Sequence, residues 1–412
     1  MADFHQNGVV TTLHRLDAGD QDLIERELVE FSRTQRIALV LPALFSEFTR
    51  PAMSRIIRDL RHAAYVHEIV VSLDRASEAE FELARRAFDE VPQQVRVLWH
   101  DGPRLQALYD LLVEHGLPIG MPGKGRGCWM AYGYVLASGV SETIAVHDCD
   151  ITTYNRELLA RLCYPVANPN LGFEFAKGYY SRTSRKMHGR VTRLFMTPLI
   201  RTLQSLVGRL PLLVYLDSFR YALAGEFAMK AELARVNRVP PDWGLEVGML
   251  AEVYRNCAPR RICQTELCGN YDHKHQEVIT GNPERGLVRM CVDIAQILLR
   301  TLAAEGVVFT DGMFQTLLVQ YIRIAEDMVD RYHADAAING LRFDRHEEET
   351  TVGAFSGGLE TACRRFRDDP LGVPLIPSWN RITSAIPDFL DRLHDAVDED
   401  NLMAVRREAA IA

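Results

Sequence analysis

Two aspartates separated by one residue, Asp148-Cys149-Asp150, end an apolar run that passes through Ile144 and Val146. A strand that stops on such a pair sets two carboxylates at the carboxyl edge of a sheet, where open α/β folds gather ligands. Paired carboxylates suit a hard divalent cation, and such a cation suits a diphosphate. Upstream lies Pro122-Gly-Lys-Gly-Arg-Gly127, whose alternating glycines let backbone approach an anion while Lys124 adds a mobile charge. It is neither a P-loop, since no Gly-Lys-Ser/Thr follows a four-residue gap, nor a dinucleotide fingerprint, since no strand precedes it. In Tyr271-Asp-His-Lys-His275, His273 and His275 alternate, so on extended backbone they point to one side and one of them can complete a metal shell. Gly189-Arg-Val-Thr-Arg193 opens a helix after Lys177, Arg182, Arg185 and Lys186, a cationic setting for an anionic acceptor. Glu226, in Leu223-Ala-Gly-Glu-Phe, is a lone acid in an apolar stretch, suited to a sugar hydroxyl or to general-base work; Asp242 and Glu246 have the same ambiguity.

Each motif has a plain structural alternative. Acids at strand ends cap turns. A glycine loop before a helix, a His-rich loop and a cationic run all occur simply as solvated surface, and Glu226 reads equally as a helix-cap acid. His147 and Cys149 face away from the two acids on alternating backbone and read as packing residues. The spacing Cys263-x4-Cys268-x4-His273-x-His275 is poor for structural zinc. What favours a site is the order of the motifs along one chain.

The elements that must position them alternate. A lead-in helix over Asp20–Thr34 precedes a buried strand from Arg36 to Leu41 closed by Pro42. There follow a helix over Ala52–Ala64, a strand over Glu68–Leu73 ending at Asp74, a helix over Glu78–Glu90, a strand over Val95–Trp99, and helices over Pro103–His115 and Gly127–Ser138. Alternation of this kind predicts a doubly wound parallel sheet with helices on both faces, from about Arg36 to Asp150. Beyond it, Leu171–Tyr180 and Ile262–Leu267 read as strands, Gly189–Val207 as a long helix, and Asp242 as the start of another, with Leu210–Phe219 unassigned. From Gly286 the chain is helical, over Leu287–Glu305, Thr310–Ala334, Glu347–Asp369 and Ile382–Glu408. The expected organisation is residues 1–35 as a lead-in, 36–150 as a nucleotide-binding layer, 151–285 as a second part completing the site and 286–412 as a helical extension that packs or forms a dimer interface.

Composition sets outer bounds. The 412 residues are 47% hydrophobic and 25% charged, as in globular proteins, with a net charge of −8 that argues against a nucleic-acid partner. The first residues show no signal peptide, and the apolar stretches are too short to span a bilayer. Eight scattered cysteines in apolar surroundings suit reduced thiols, so a cytoplasmic enzyme is expected.

Taken in order, the motifs resemble those of the glucosyl-3-phosphoglycerate synthases, retaining glycosyltransferases related to mannosyl-3-phosphoglycerate synthases. The resemblance rests on Leu41-Pro-Ala-Leu with Glu47, Gly123-Lys-Gly, Asp148-Cys-Asp, Phe175-Ala-Lys-Gly-Tyr-Tyr-Ser-Arg182 and Gly189-Arg-Val-Thr-Arg-Leu. It continues through Pro198-Leu-Ile, Ala224-Gly-Glu-Phe, Trp243-Gly-Leu-Glu-Val-Gly and Asp272-His-Lys-His, from about Ile37 to His275. It implies an α/β GT-A fold with a mostly parallel sheet, and transfer of glucose from a nucleotide sugar, usually UDP-glucose, to 3-phosphoglycerate. Pro42, Leu44, Glu47, Asp74 and Lys124 match donor-binding positions. Asp148, Asp150 and Glu226 match catalytic ones, with Asp148 and Glu226 also at the donor. Asp150 and His273 match the ligands of Mg²⁺ or Mn²⁺, and Gly189, Arg190 and Thr192 match the acceptor site. A homodimer is expected, with a nucleotide sugar and a small anionic acceptor as partners. The chain departs from the family at Phe45-Ser-Glu-Phe-Thr-Arg50, where relatives carry an Asn-Glu-Glu type of sequence, and at Ser72-Leu-Asp-Arg-Ala-Ser77, where only Asp74 carries over. Its helical C-terminal section is also longer than in compact relatives.

Alternatives remain at this stage. Mannosyl-3-phosphoglycerate or glucosylglycerate synthesis uses neighbouring chemistry. A nucleotidyltransferase also sets a Gly/Lys loop and an acid pair on an α/β layer, but Pro42–Arg50 lacks its glycine-rich loop. A non-catalytic nucleotide-sugar-binding or assembly protein would work through the C-terminal helices.

Overall fold

The computed structural model describes residue 6 and residues 8–16, 21–273 and 284–411, with side chains to residue 404. One sheet of eight strands organises the chain: β1 (Thr11–Leu13), β2 (Ile37–Leu44), β3 (Val66–Asp74), β4 (Gln94–Trp99), β5 (Thr143–Val146), β6 (Phe175–Tyr179), β7 (Phe227–Lys230) and β8 (Ile262–Glu266). Their order is β1-β8-β6-β7-β5-β2-β3-β4. All pairs are parallel except those of β7, which runs antiparallel to both β5 and β6. The expected mostly parallel α/β fold is therefore present, and the sheet runs through residues on both sides of position 150.

Alternation along the strands builds two cores. Ala38, Val40, Val70, Leu98 and Ile144 pack on one face with the helix Lys124–Ser138. Ile37, Leu39, Leu41, Ile69, Val71 and Val97 pack on the other with the helices Pro51–Leu60 and Arg156–Ala167. Both faces are covered, which is why the central strands are continuous apolar runs.

Several sequence expectations need correction. Pro42 does not close β2, which continues to Leu44; pairing with β5 ends at Val40, so beyond that point β2 has one ladder neighbour and tolerates an imino residue. β5 stops at Val146, so Asp148 and Asp150 lie on the loop beyond the strand. The lead-in holds the short strand β1 as well as the helix Gln21–Phe31. β7, four residues long, was invisible to periodicity. The segment after Gly189 begins as a π-helix, Val191–Met196, before the α-helix Thr197–Val207. Asp242 does not begin a helix: Leu245–Asn256 starts later, and the Asp242 carboxylate accepts from the Gly244 amide at 2.8 Å. Leu210–Phe219, left unassigned, holds the helix Pro211–Asp217.

The C-terminal helices Gly286–Ala304, Asp311–Ile338 and Arg345–Asp368 pack together, and the last, Phe389–Ile411, returns to the sheet. There Asn401 accepts from the Val97 amide at 3.1 Å and donates to the Val97 carbonyl at 3.0 Å. Those are the ladder groups that an edge strand leaves open, so the helix closes the β4 edge. Trp379 stacks on Trp129 with ring centroids 4.3 Å apart, over Gly133. Among the described residues no helix is long and apolar enough to cross a membrane.

Candidate active site

The carboxyl ends of β2, β3 and β5 open into a cavity of about 1220 Å³ roofed by the C-terminal helices. Its centre is built by the glycine loop and the acid loop together. Lys124, first residue of its helix, places Nζ 2.6 Å from Asp148 Oδ1 and 3.3 Å from Glu246 Oε1. Burial works against the ammonium, but Asp148 and Glu246 outweigh it and hold the Lys124 pKa well above its ordinary value. Burial likewise opposes the Asp148 carboxylate, and Lys124 overcomes it, so the Asp148 pKa lies below the usual range. Both groups stay charged at neutral pH.

The glycines around this pair make room for protein rather than for an anion. A Cβ at Gly125 would lie 2.1 Å from the Pro240 carbonyl oxygen, and one at Gly127 would lie 2.7 Å from Ser72 Oγ. Gly225 has the more direct bearing on the site: its Cβ would lie 2.6 Å from Asp148 Oδ2 and 3.0 Å from Lys124 Nζ. The ion pair occupies the space a side chain would fill.

Asp150 meets His273 through a short antiparallel bridge between Ile151 and His273. The Thr152 amide donates to the Asp272 carbonyl at 2.8 Å, and the Asp272 amide donates to Thr153 Oγ1 at 3.0 Å. His273 Nδ1 thereby stands 3.5 Å from Asp150 Oδ2. Asp150 Oδ1 is buried with no hydrogen-bond partner among the described residues. A hard oxygen left unpaired beside an imidazole fits Mg²⁺ or Mn²⁺, which take one or two protein ligands and complete their shell with water and substrate phosphate. Among the described residues no group of three or more His, Cys, Asp or Glu gathers as a closed metal site. His275 lies outside the described residues. His147 and Cys149 are buried as packing residues. His147 Nδ1 donates to the Asp148 carbonyl at 2.9 Å, which fixes its tautomer, and burial pushes its pKa down to about 4.

At one end of the cavity stand Pro42, Leu44, Glu47 and Asp74, after β2 and β3. Glu47 is buried and 3.5 Å from Arg50 Nε; Asp74 Oδ1 accepts from the amide of Arg75, which adopts a left-handed φ of 56°. At the other end stand Gly189, Arg190 and Thr192. Gly189 has φ of 72°, a turn that suits glycine and aims Arg190 at the cavity. Arg182 also lines this end and donates to Tyr221 Oη at 2.9 Å.

Two expectations fail here. Glu226 does not line the cavity: it is fully buried, its Oε2 accepting from Tyr180 at 2.6 Å and its Oε1 from Tyr271 at 2.5 Å. Burial, then Asp148, raises its pKa. It sits beneath the stacked rings of Tyr180 and Tyr271, whose centroids are 3.8 Å apart, and these rings form the cavity wall. Lys177 is not part of an anion pocket either; it is buried and donates to the Ala224 carbonyl at 2.6 Å, and burial lowers its pKa to about 8. Asp242 does line the cavity, and so does Glu246, in the first turn of Leu245–Asn256. Its position in Trp243-Gly-Leu-Glu-Val-Gly was the available signal, but one acid on an amphipathic helix does not reveal which way it faces. Tyr180 and Tyr271 carry no signal of their own in the sequence: one closes an apolar strand and reads as core, and the other is only the flank of the His273 motif.

The mostly parallel α/β sheet, with Lys124 paired to acids at its carboxyl edge and helices packed beyond it, is of the GT-A type. The same fold is found in crystal structures of glucosyl-3-phosphoglycerate synthase from Mycobacterium tuberculosis. One, in complex with phosphoglyceric acid, has a TM-score of 0.52 and 21% identity over 73% of this chain and 90% of that one. Another, with Mn²⁺, UDP-glucose and phosphoglyceric acid, has a TM-score of 0.51 at 21% identity over 73% and 89%. Sequence similarity is higher elsewhere: glucosyl-3-phosphoglycerate synthase of Persephonella marina is 50% identical, over 97% of this chain and 99% of its own length. That of Methanococcoides burtonii is 40% identical over 97% and 98%. No family model matches the chain. The chain belongs to the glucosyl-3-phosphoglycerate synthase family.

Proposed function

We propose that this protein transfers glucose from UDP-glucose to 3-phosphoglycerate with retention of configuration, using Mg²⁺ or Mn²⁺. The observation that carries the reading is one cavity lined by the charged pair Lys124–Asp148, the open pair Asp150–His273, and Arg190 with Thr192. Pro42, Leu44, Glu47 and Asp74 seat the nucleoside, and Lys124 lies against the diphosphate. Asp150 and His273 would hold the cation, which when bound would supply positive charge beside the departing diphosphate. Lys124 supplies a further fixed charge, held by Asp148 and Glu246, in a partly water-excluded site. Gly189, Arg190 and Thr192 orient the acceptor so that its hydroxyl faces the anomeric carbon.

Retention needs either an enzyme nucleophile or attack from the face the diphosphate leaves. Glu226 is unsuited to the first role, since both its oxygens are engaged beneath the wall. Glu246 is paired with Lys124. The reading therefore takes same-face attack, in which the bond to the diphosphate breaks as the acceptor oxygen bonds to the anomeric carbon and the leaving phosphate oxygen takes the acceptor's proton. Glu226 becomes a positioning residue that acts through Tyr180 and Tyr271.

The test is a panel of UDP- and GDP-linked glucose and mannose with 3-phosphoglycerate or glycerate, read as nucleoside diphosphate released. UDP-glucose with 3-phosphoglycerate should be fastest, and chelation of divalent cations should stop it. A faster GDP or mannosyl donor, or turnover indifferent to chelation, would overturn the reading. It extends to a cytoplasmic homodimer, the compartment supported by the eight free, buried cysteines. Light scattering in solution checks the assembly.

A further inference from the structure

The helix Arg345–Asp368 reaches the acceptor end of the cavity with two consecutive acids in its first turn, Glu347 and Glu348. They engage the arginines of the Gly189 turn in different ways. Glu348 is buried and acts as a hub: Oε1 accepts from Arg190 Nε at 3.2 Å, and Oε2 accepts from Arg193 Nη1 at 2.8 Å. Arg193 is further fixed by donating from Nε to the His188 carbonyl at 2.9 Å and by lying over the Tyr332 ring, 4.8 Å from its centroid. Glu347 is about half exposed and accepts from Arg190 Nη2. Arg190 Nη1 makes no hydrogen bond among the described residues.

These contacts leave the cavity-lining guanidinium neutralised by two carboxylates of unequal mobility. Glu348, buried and shared between two cations, has no alternative partner and sets the direction of Arg190. Glu347, at the solvent edge with one partner, occupies a terminal nitrogen that a phosphate or carboxylate would use in a two-pronged contact. We infer that Glu347 is a built-in competitor for the acceptor anion, displaced when the acceptor binds, while Glu348 is the positioning residue that keeps Arg190 aimed at the cavity. Through these two acids the C-terminal extension sets acceptor affinity. The inference rests on the acceptor role proposed for Arg190.

An exposed ion pair of this kind contributes at most about 1 kcal/mol, equivalent to about fivefold in an equilibrium constant. In Glu347→Gln the acceptor therefore meets less competition, and its KM should fall by about two- to fivefold with the KM of UDP-glucose unchanged. Glu348→Gln should raise the acceptor KM more than tenfold and leave the donor KM in place, and Glu348→Asp should restore part of the loss. A purely structural role for either acid would move both substrates together or move only the melting temperature. An unchanged or higher acceptor KM in Glu347→Gln, in a variant that melts like the parent, overturns the inference. Failure of the parent enzyme to use 3-phosphoglycerate would instead strike the underlying reading, so the two failures are distinguishable.

Discussion

Gly225→Ala isolates the charged pair at the centre of the site without removing any charge. The new Cβ would lie 2.6 Å from Asp148 Oδ2, and ordinary contact begins near 3.4 Å, so the carboxylate must retreat by about 0.8 Å. Lys124 Nζ, 3.0 Å from the same point, must move as well. Both obstacles are ends of side chains, so the fold can absorb them. Gly225 has no positive φ, so the substitution also removes about 0.4–1 kcal/mol of unfolded-state freedom. Stability should therefore stay within about 1 kcal/mol of the parent. Activity should not: a displacement near 1 Å of positioning groups costs on the order of 10²-fold, about 2.7 kcal/mol in the barrier. Steady-state kcat/KM for UDP-glucose, measured beside a urea denaturation curve, separates the two quantities. A variant with normal kcat/KM would refute the claim that the Lys124–Asp148 geometry drives transfer. A variant that loses activity only in proportion to lost folding would refute it equally.

Asp150→Ala removes the unpaired oxygen beside His273 and should lower kcat more than about 10²-fold, with loss of Mg²⁺ binding by calorimetry. Near-parental turnover at the same metal concentration would contradict the assignment. Gly133→Ala places a Cβ 2.1 Å from Trp379 Cζ2, so although alanine is favoured by about 1 kcal/mol inside a helix, overpacking should cost about 1–3 kcal/mol or more. A lower melting temperature is expected, and a higher one would show that Trp379 yields freely. Burial holds His100 and His147 neutral, with pKa values pushed down to about 4 from 6.5. Between those values the unfolded chain binds protons that the folded chain refuses, so this stability is present above pH 6.5 and lost as pH falls toward 4. Each histidine contributes up to about 1.4 kcal/mol per pH unit, opposed in part by Glu226, whose burial raises its pKa. Urea unfolding at stepped pH should show a shallower loss in His147→Leu; identical slopes would contradict the assignment.

The sheet was largely legible because its central strands are buried on both faces and announce themselves as apolar runs. β7 was not, since four residues flanked by Gly225 and a short helix carry too little period to register. The helix starts were misjudged where a π-turn or an Asx-type contact, as at Thr192 and Asp242, replaces a simple cap. For the site, the acid pair, Lys124 and the Gly189 turn could be found from residue type and order. Which acid faces the cavity could not. Glu226 and Glu246 look alike in sequence, and only the packing of Tyr180 over Tyr271 puts one beneath the wall and leaves the other on it. The second role of the C-terminal helices was equally hidden, because Glu347 and Glu348 read as ordinary first-turn acids until Arg190 and Arg193 are brought to them.

The central claim is retaining transfer of glucose to 3-phosphoglycerate, and the product itself tests it most directly. The pure protein is incubated with Mg²⁺, UDP-glucose and 3-phosphoglycerate, and the product is identified by mass and by its anomeric proton coupling. Glucosyl-3-phosphoglycerate is the expected product, formed one for one with UDP and carrying the same α linkage as the donor. An inverted linkage, release of pyrophosphate from a nucleoside triphosphate, or no condensed product would contradict it.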